Sequence, residues 1–171
     1  MLLQAYQRLH QPRATLVIVG DGPARKALQA QCPEAVFTGF RTGEDLAACY
    51  ASSDLLLFPS LTETFGNVTT EALASGLPPV AFNDAAAGQL VTDDLNGLLV
   101  PPTDPAEFCR LAAELGCNPG LRQRLGREAR QKALQLGWDN IVQRIDDIYE
   151  ASIAKAHAFT LPRVWAGVRP T

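Results

Sequence analysis

Short apolar runs alternate with longer amphipathic stretches along most of this chain. Ala14–Gly20 (A-T-L-V-I-V-G) is nearly continuous in apolar residues, the pattern of a strand buried on both faces of a parallel sheet. A helix is expected from about Pro23 to Gln31, with Pro23 suited to the first turn, where no amide donor is needed. Ala35–Thr38 reads as a second, short strand. Thr42 can cap a helix reaching Tyr50, and Asp45 three residues on matches a reciprocal cap. Asp54–Pro59 (D-L-L-L-F-P) reads as a third buried strand, followed through a loop by a helix ending at Gly76. Pro79–Phe82 and Leu98–Val100 complete the strands, separated by a segment at Ala85–Val91 and the turn Asp94-Leu95-Asn96-Gly97. Pro79 has no ladder donor, which places it at the start of its strand.

From Asp104 the pattern becomes helical. D-P-A-E puts Asp at the cap, Pro at the first helical position and Glu at the third. Apolar residues recur at helical spacing through Leu115, and two more helices are expected at about Pro119–Gln135 and Trp138–Ala156. The alternation predicts an α/β fold, a Rossmann-like doubly wound parallel sheet flanked by helices, with a helical C-terminus. Residues 1–157 are expected to form one domain. Residues 158–171 form a tail broken by prolines, in which Phe159, Leu161, Val164 and Trp165 would dock on a partner surface or a second copy of the chain, disorder being the alternative. Met1–His10 already reads as the body of a helix, with Leu2, Ala5, Tyr6 and Leu9 on one face. A doubly wound domain normally has a strand ahead of such a helix, so the chain is expected to begin within a domain.

Composition narrows the function. A length of 171 residues with 47% hydrophobic content suits one packed domain. A charged fraction of 19% and a net charge of −3 favour neither nucleic acid nor an anionic membrane as partner. No apolar run approaches the roughly 18–20 residues of a membrane span, and no signal-peptide pattern opens the chain. Cys32, Cys49, Cys109 and Cys117 are scattered without a C-x-x-C pair, as free thiols in a reducing compartment are. The two histidines, His10 and His157, lie near opposite ends, a poor basis for a metal centre or a histidine-activated nucleophile.

Two stretches could carry chemistry. V-G-D-G-P at Val19–Pro23 joins a strand to a helix through two glycines, a geometry that lets backbone amides approach a phosphate. A dinucleotide fingerprint would need a third glycine where Arg25 stands, and no G-K-[ST] follows, so a nicotinamide-dinucleotide site is disfavoured. The second stretch is E-T-F-G-N-V-T-T-E, Glu63 to Glu71. Its helix begins beyond the carboxyl end of a strand, where open α/β sheets bind ligands, and the positive helix end suits a diphosphate. Gly66 leaves room beside the backbone. Glu63 in the loop and Glu71 on the helix are then placed to accept hydrogen bonds from a hydroxyl-rich ring on either side. Spacing alone also fits a plain loop acid and a solvated helix acid.

The run from Leu16 to Val100 resembles the C-terminal, donor-binding domain of GT-B-fold retaining glycosyltransferases of family 4 (glycosyl transferases group 1). The matching pieces are V-I-V-G-D-G-P, F-T-G-F, Y-A-S-S-D-L-L-L-F-P-S, E-T-F-G-N-V-T-T-E-A-L-A-S-G-L-P and N-G-L-L-V-P-P. The resemblance implies transfer of a sugar from a nucleoside diphosphate sugar, of UDP or GDP type, to an acceptor hydroxyl with retention, without metal or other cofactor. It implies that Glu63, the catalytic candidate, contacts the donor sugar and that Glu71 contacts the ribose. It places the amides of Thr64, Phe65, Gly66 and Asn67 against sugar and diphosphate, Gly20 and Gly22 near the phosphates, and Phe40 and Arg41 at the nucleobase.

Two basic residues and an N-terminal acceptor domain that the family uses are absent from this chain. The isolated chain is therefore expected to be inactive, a nucleotide-sugar binding module. Pro79 stands where relatives continue the strand with Val, and Gln89 where they often carry Glu. The implied parent enzyme is cytoplasmic or peripheral at the inner membrane face, in cell-envelope polysaccharide or glycolipid synthesis.

Overall fold

A computed structural model describes residues 1–9, 14–63 and 66–158, with side chains as far as Ala156. Met1–Leu134 form one compact unit, and the chain from Gln135 a second. The sequence-based boundary lay at 157. The buried positions of the C-terminal helices end at Ala129.

In the first unit the elements run α1 (Leu2–Arg8), β1 (Val17–Val19), α2 (Arg25–Gln31), β2 (Val36–Gly39), α3 (Gly43–Ala51), β3 (Leu56–Phe58), α4 (Asn67–Ala74), β4 (Pro79–Phe82), α5 (Ala85–Leu90), β5 (Leu98–Val100), α6 (Pro105–Cys117) and α7 (Pro119–Leu134). Every strand pairing is parallel: β1 with β2, and β3, β4 and β5 in that order. Helices pack on these parallel sheets, as expected of an α/β fold. Both carboxyl edges open onto the loops that could carry a site.

The larger sheet has its centre in β4, whose four residues are all buried. Val80 and Phe82 meet Leu98 and Val100 of β5, Phe108, Ala112 and Leu115 of α6, and Leu125 of α7. The smaller sheet has its own core, where Leu16, Cys32 and Ala35 pack with Leu3 of α1, and Ile18 and Phe37 lie against them. Helix α1 serves both cores, since Ala5 belongs to the larger one.

The reading of Ala14–Gly20 as a strand covered on both faces does not hold. Ile18 turns inward, whereas Val17 and Val19 are 42% and 38% exposed. Among the described residues, core packing covers one face of this short sheet. The expected reciprocal cap at Thr42 is also absent: Thr42 is the N-cap of α3 but makes no side-chain cap bond, and Asp45 pairs with Arg41 instead. At Asp104 the expected cap forms, with Asp104 Oδ1 accepting from the Glu107 amide at 2.9 Å and Pro105 in the first turn. Helix α2 starts at Arg25, two residues later than expected.

The second unit contains α8 (Trp138–Ala158). Along it Trp138, Ile141, Ile145, Ile148 and Tyr149 are exposed. The tail, 159–171, lies outside the described residues. Among the described residues no helix is long and apolar enough to cross a membrane.

Candidate functional site

The carboxyl end of β3 delivers Ser60 and Glu63, and Ser60 Oγ donates to Glu63 Oε1 at 3.4 Å. Gly66 then opens α4 in the left-handed region, at φ 70°. A Cβ there would stand 3.2 Å from the Ala86 Cβ and 3.6 Å from Glu63 Oε2. Glycine is required twice over, by the backbone angle and by the close approach. The N-cap Gly66 has no side chain to cap α4, and among the described residues no side chain is seen to accept from its first amides.

A narrow cleft lies between this segment and the end of β4. Phe58 and Phe82 give it apolar walls, while Ser60, Glu63, Thr69 and Asp84 bring polar groups. Ala85, at φ 44°, is a non-glycine residue in the left-handed region on its lip. Backbone strain of this kind gathers at functional sites. Neither Glu63 nor Asp84 has a basic partner among the described residues. Thr69 is wholly buried, and its Oγ has no hydrogen-bond partner.

Glu71 lies half-buried in the second turn of α4. Its carboxylate interacts with the phenol of Tyr50, near the end of α3. Burial first, and then the Glu71 carboxylate, push the Tyr50 phenol above its usual range.

The glycine turn after β1 is held by hydrogen bonds within the chain. The Gly20 amide donates to the Gly39 carbonyl at 2.9 Å, and the Gly22 amide to Asp21 Oδ1 at 2.8 Å. Both amides are thus engaged within the chain. The Gly22 amide, followed by Arg25, holds the Asp21 carboxyl below its ordinary value. Arg25 itself bonds Asp21 at 2.8 Å and the Phe37 carbonyl at 3.4 Å. Phe40 is 77% exposed, and Arg41 pairs with Asp45 at 3.7 Å.

Among the sequence-proposed residues, the structure brings Glu63 and Gly66 together in the cleft, with Asn67 and Glu71 following on the same helix. Gly20 meets Gly39, next to Phe40 and Arg41, on the smaller sheet, and no hydrogen bond among the described residues joins that group to Glu63. Thr64 and Phe65 lie outside the described residues. Sequence reasoning passed over Ser60, Thr69, Asp84 and Tyr50. Asp84 carried a usable signal, since it follows β4 just as Glu63 follows β3. Tyr50 carried none.

This arrangement has clear relatives. Residues 1–118 match the family of glycosyl transferases group 1. The chain belongs to that family, and its α/β architecture matches solved GT-B glycosyltransferases. A GDP-mannose-dependent alpha-mannosyltransferase of Mycobacterium tuberculosis is 40% identical over 141 residues, covering 80% of this chain and 35% of that protein. Sucrose-phosphate synthase (tll1590) from Thermosynechococcus elongatus superposes with a TM-score of 0.73 at 26% identity, over 90% of this chain and 42% of that one. Anabaena Alr3699/HepE in complex with UDP-glucose gives a TM-score of 0.70 at 26% identity, over 88% and 44%. The chain spans less than half the length of each of these relatives.

Proposed function

We propose that this chain is the donor-binding domain of a retaining glycosyltransferase, which moves a sugar from a nucleoside diphosphate sugar to an acceptor hydroxyl. The observation that carries the reading is the cleft at the amino end of α4, where Glu63, Gly66 and Asp84 converge at the carboxyl edge of the larger sheet. The donor's diphosphate is met by the positive end of α4 and the amides at Gly66 and Asn67. The sugar ring faces Glu63, and the ribose hydroxyls face Glu71. Like charge keeps both carboxylates off the phosphates.

In this reading the protein lowers the barrier by orienting the sugar and stabilising the leaving diphosphate through fixed backbone dipoles. Glu63 acts by holding sugar hydroxyls in place. No metal or other cofactor is assigned a part, in keeping with a sequence that contains no D-x-D. The similarity to a GDP-mannose-dependent enzyme and to a structure holding UDP-glucose makes GDP- and UDP-hexoses the donors to try first. The acceptor site is assigned to the remaining length that such relatives have, so the isolated chain binds donor without turnover.

Calorimetric titration with GDP, UDP, GDP-mannose and UDP-glucose tests this directly. Saturable binding of a nucleotide and its sugar, with transfer activity only in the full-length protein, is the expected result. Turnover by the isolated 171-residue chain would overturn the division of labour, and failure to bind all four ligands would overturn the donor reading.

A further inference from the structure

The cleft has a volume of about 10 Å³. That is room for one water-sized group and far too little for a hexose ring. Its composition is uneven. Phe58 and Phe82 offer nothing to a charge, and the carboxylates of Glu63 and Asp84 repel a phosphate. Thr69 lines the same space, 0% exposed, with its hydroxyl unpaired. A buried hydroxyl without a partner is uncommon, and it is satisfied if a bound ligand supplies the missing group. A threonine hydroxyl both donates and accepts, whereas Glu63 and Asp84 only accept when ionised. A neutral hydroxyl fits such a lining, donating one hydrogen bond to either carboxylate and accepting one from Thr69.

We propose that this cleft is a subsite for a single hydroxyl of the donor sugar, with Thr69 as a specificity-determining residue. The ring lies outside, against Gly66 and the amino end of α4, and points one hydroxyl inward between Glu63, Thr69 and Asp84. Sugars that differ at that hydroxyl are separated because the wrong epimer leaves Thr69 unpaired and places its own group elsewhere. The inference rests on the reading of this edge as a donor-sugar site.

The test uses the full-length protein with Thr69→Val, which replaces the hydroxyl by a methyl of similar size, and Thr69→Ser, which keeps it. GDP, UDP, GDP-mannose, UDP-glucose and the monodeoxy forms of the bound sugar are titrated in turn. Thr69→Val is expected to weaken the nucleotide sugar roughly 5- to 30-fold while leaving the bare diphosphate unchanged, and Thr69→Ser to stay near wild type. One monodeoxy sugar is expected to bind wild type more weakly and to be indifferent to Thr69→Val. Equal affinity of Thr69→Val and wild type for every sugar would overturn the subsite and leave Thr69 facing water alone. Equal weakening of sugar and bare diphosphate would overturn it as well, by showing a general effect on α4. If wild type binds none of the unmodified ligands, the donor reading itself fails and takes this inference with it.

Discussion

Gly126 in α7 lies so close to Gly76, just beyond α4, that a Cβ on it would stand 2.5 Å from the Gly76 carbonyl oxygen. The contact fixes the far end of the helix whose near end forms the cleft. Arg130 of the same α7 donates to the Ala74 carbonyl, engaging the last turn of α4 from the side. A helix glycine would ordinarily gain stability on substitution by alanine. Here the carbonyl has no room to yield without shifting α4.

Gly126→Ala is therefore expected to destabilise the fold by about 1–3 kcal/mol, the usual range for overpacking. Thermal or urea denaturation measures it. Unchanged or increased stability would show that α7 can slide on α4.

Asn96 is buried in the turn before β5 and closes it with both ends of its amide. Its Oδ1 accepts from the Thr92 amide at 2.6 Å, and its Nδ2 donates to the Leu90 carbonyl at 3.1 Å. Asn96→Ala strands a buried donor and an acceptor and is expected to cost roughly 2–3 kcal/mol. A loss under about 0.5 kcal/mol in denaturant titrations, the range of an ordinary surface change, would contradict this account of the turn.

Tyr50 makes stability sensitive to alkaline pH. Burial and the adjacent Glu71 make the folded chain hold the phenolic proton more tightly than the unfolded chain does. As pH rises the unfolded state releases that proton first, near the ordinary phenol value of about 10. The contribution is thus complete below about pH 10 and lost above it. Wild type is expected to lose stability more steeply than Tyr50→Phe between about pH 9.5 and 11, with the two profiles parallel below that window. Denaturation midpoints across pH measure the difference. Parallel profiles at all pH values would rule out this role for Tyr50.

Glu71 is expected to act on the nucleotide rather than on the sugar. Glu71→Gln should weaken the bare nucleoside diphosphate and its sugar conjugate alike, by about 1.5–3 kcal/mol for one charge-assisted hydrogen bond. Calorimetry in which only the sugar conjugate weakens would move Glu71 away from the ribose.

The sequence was most legible where one apolar run meets one element. Pro79–Phe82 and Leu98–Val100 are strands over the expected residues, because both run through the larger core. Val17 and Val19 misled because β-branched residues look alike whether they face a core or solvent. Thr42 misled because a cap motif states a possibility, and Arg41 drew Asp45 away from it. The E-T-F-G-N-V-T-T-E stretch was legible as a candidate since its residues are neighbours along the chain. Asp84 reaches the same cleft only through the parallel pairing of β3 with β4, and Tyr50 reaches Glu71 only through the packing of α3 on α4. The Tyr50 contact leaves no local trace, and the trace of Asp84 is its place just after β4.

The central claim, that Glu63 meets the donor sugar at the mouth of the cleft, is tested most directly by one comparison. Calorimetry of wild type and Glu63→Gln, each titrated with GDP-mannose, UDP-glucose and the matching bare diphosphates, separates sugar from nucleotide. The nucleotide sugar is expected to weaken by about 1.5–3 kcal/mol while the bare diphosphate binds as before. Equal affinity of both proteins for the sugar conjugate, or an equal loss for conjugate and bare diphosphate, would contradict it.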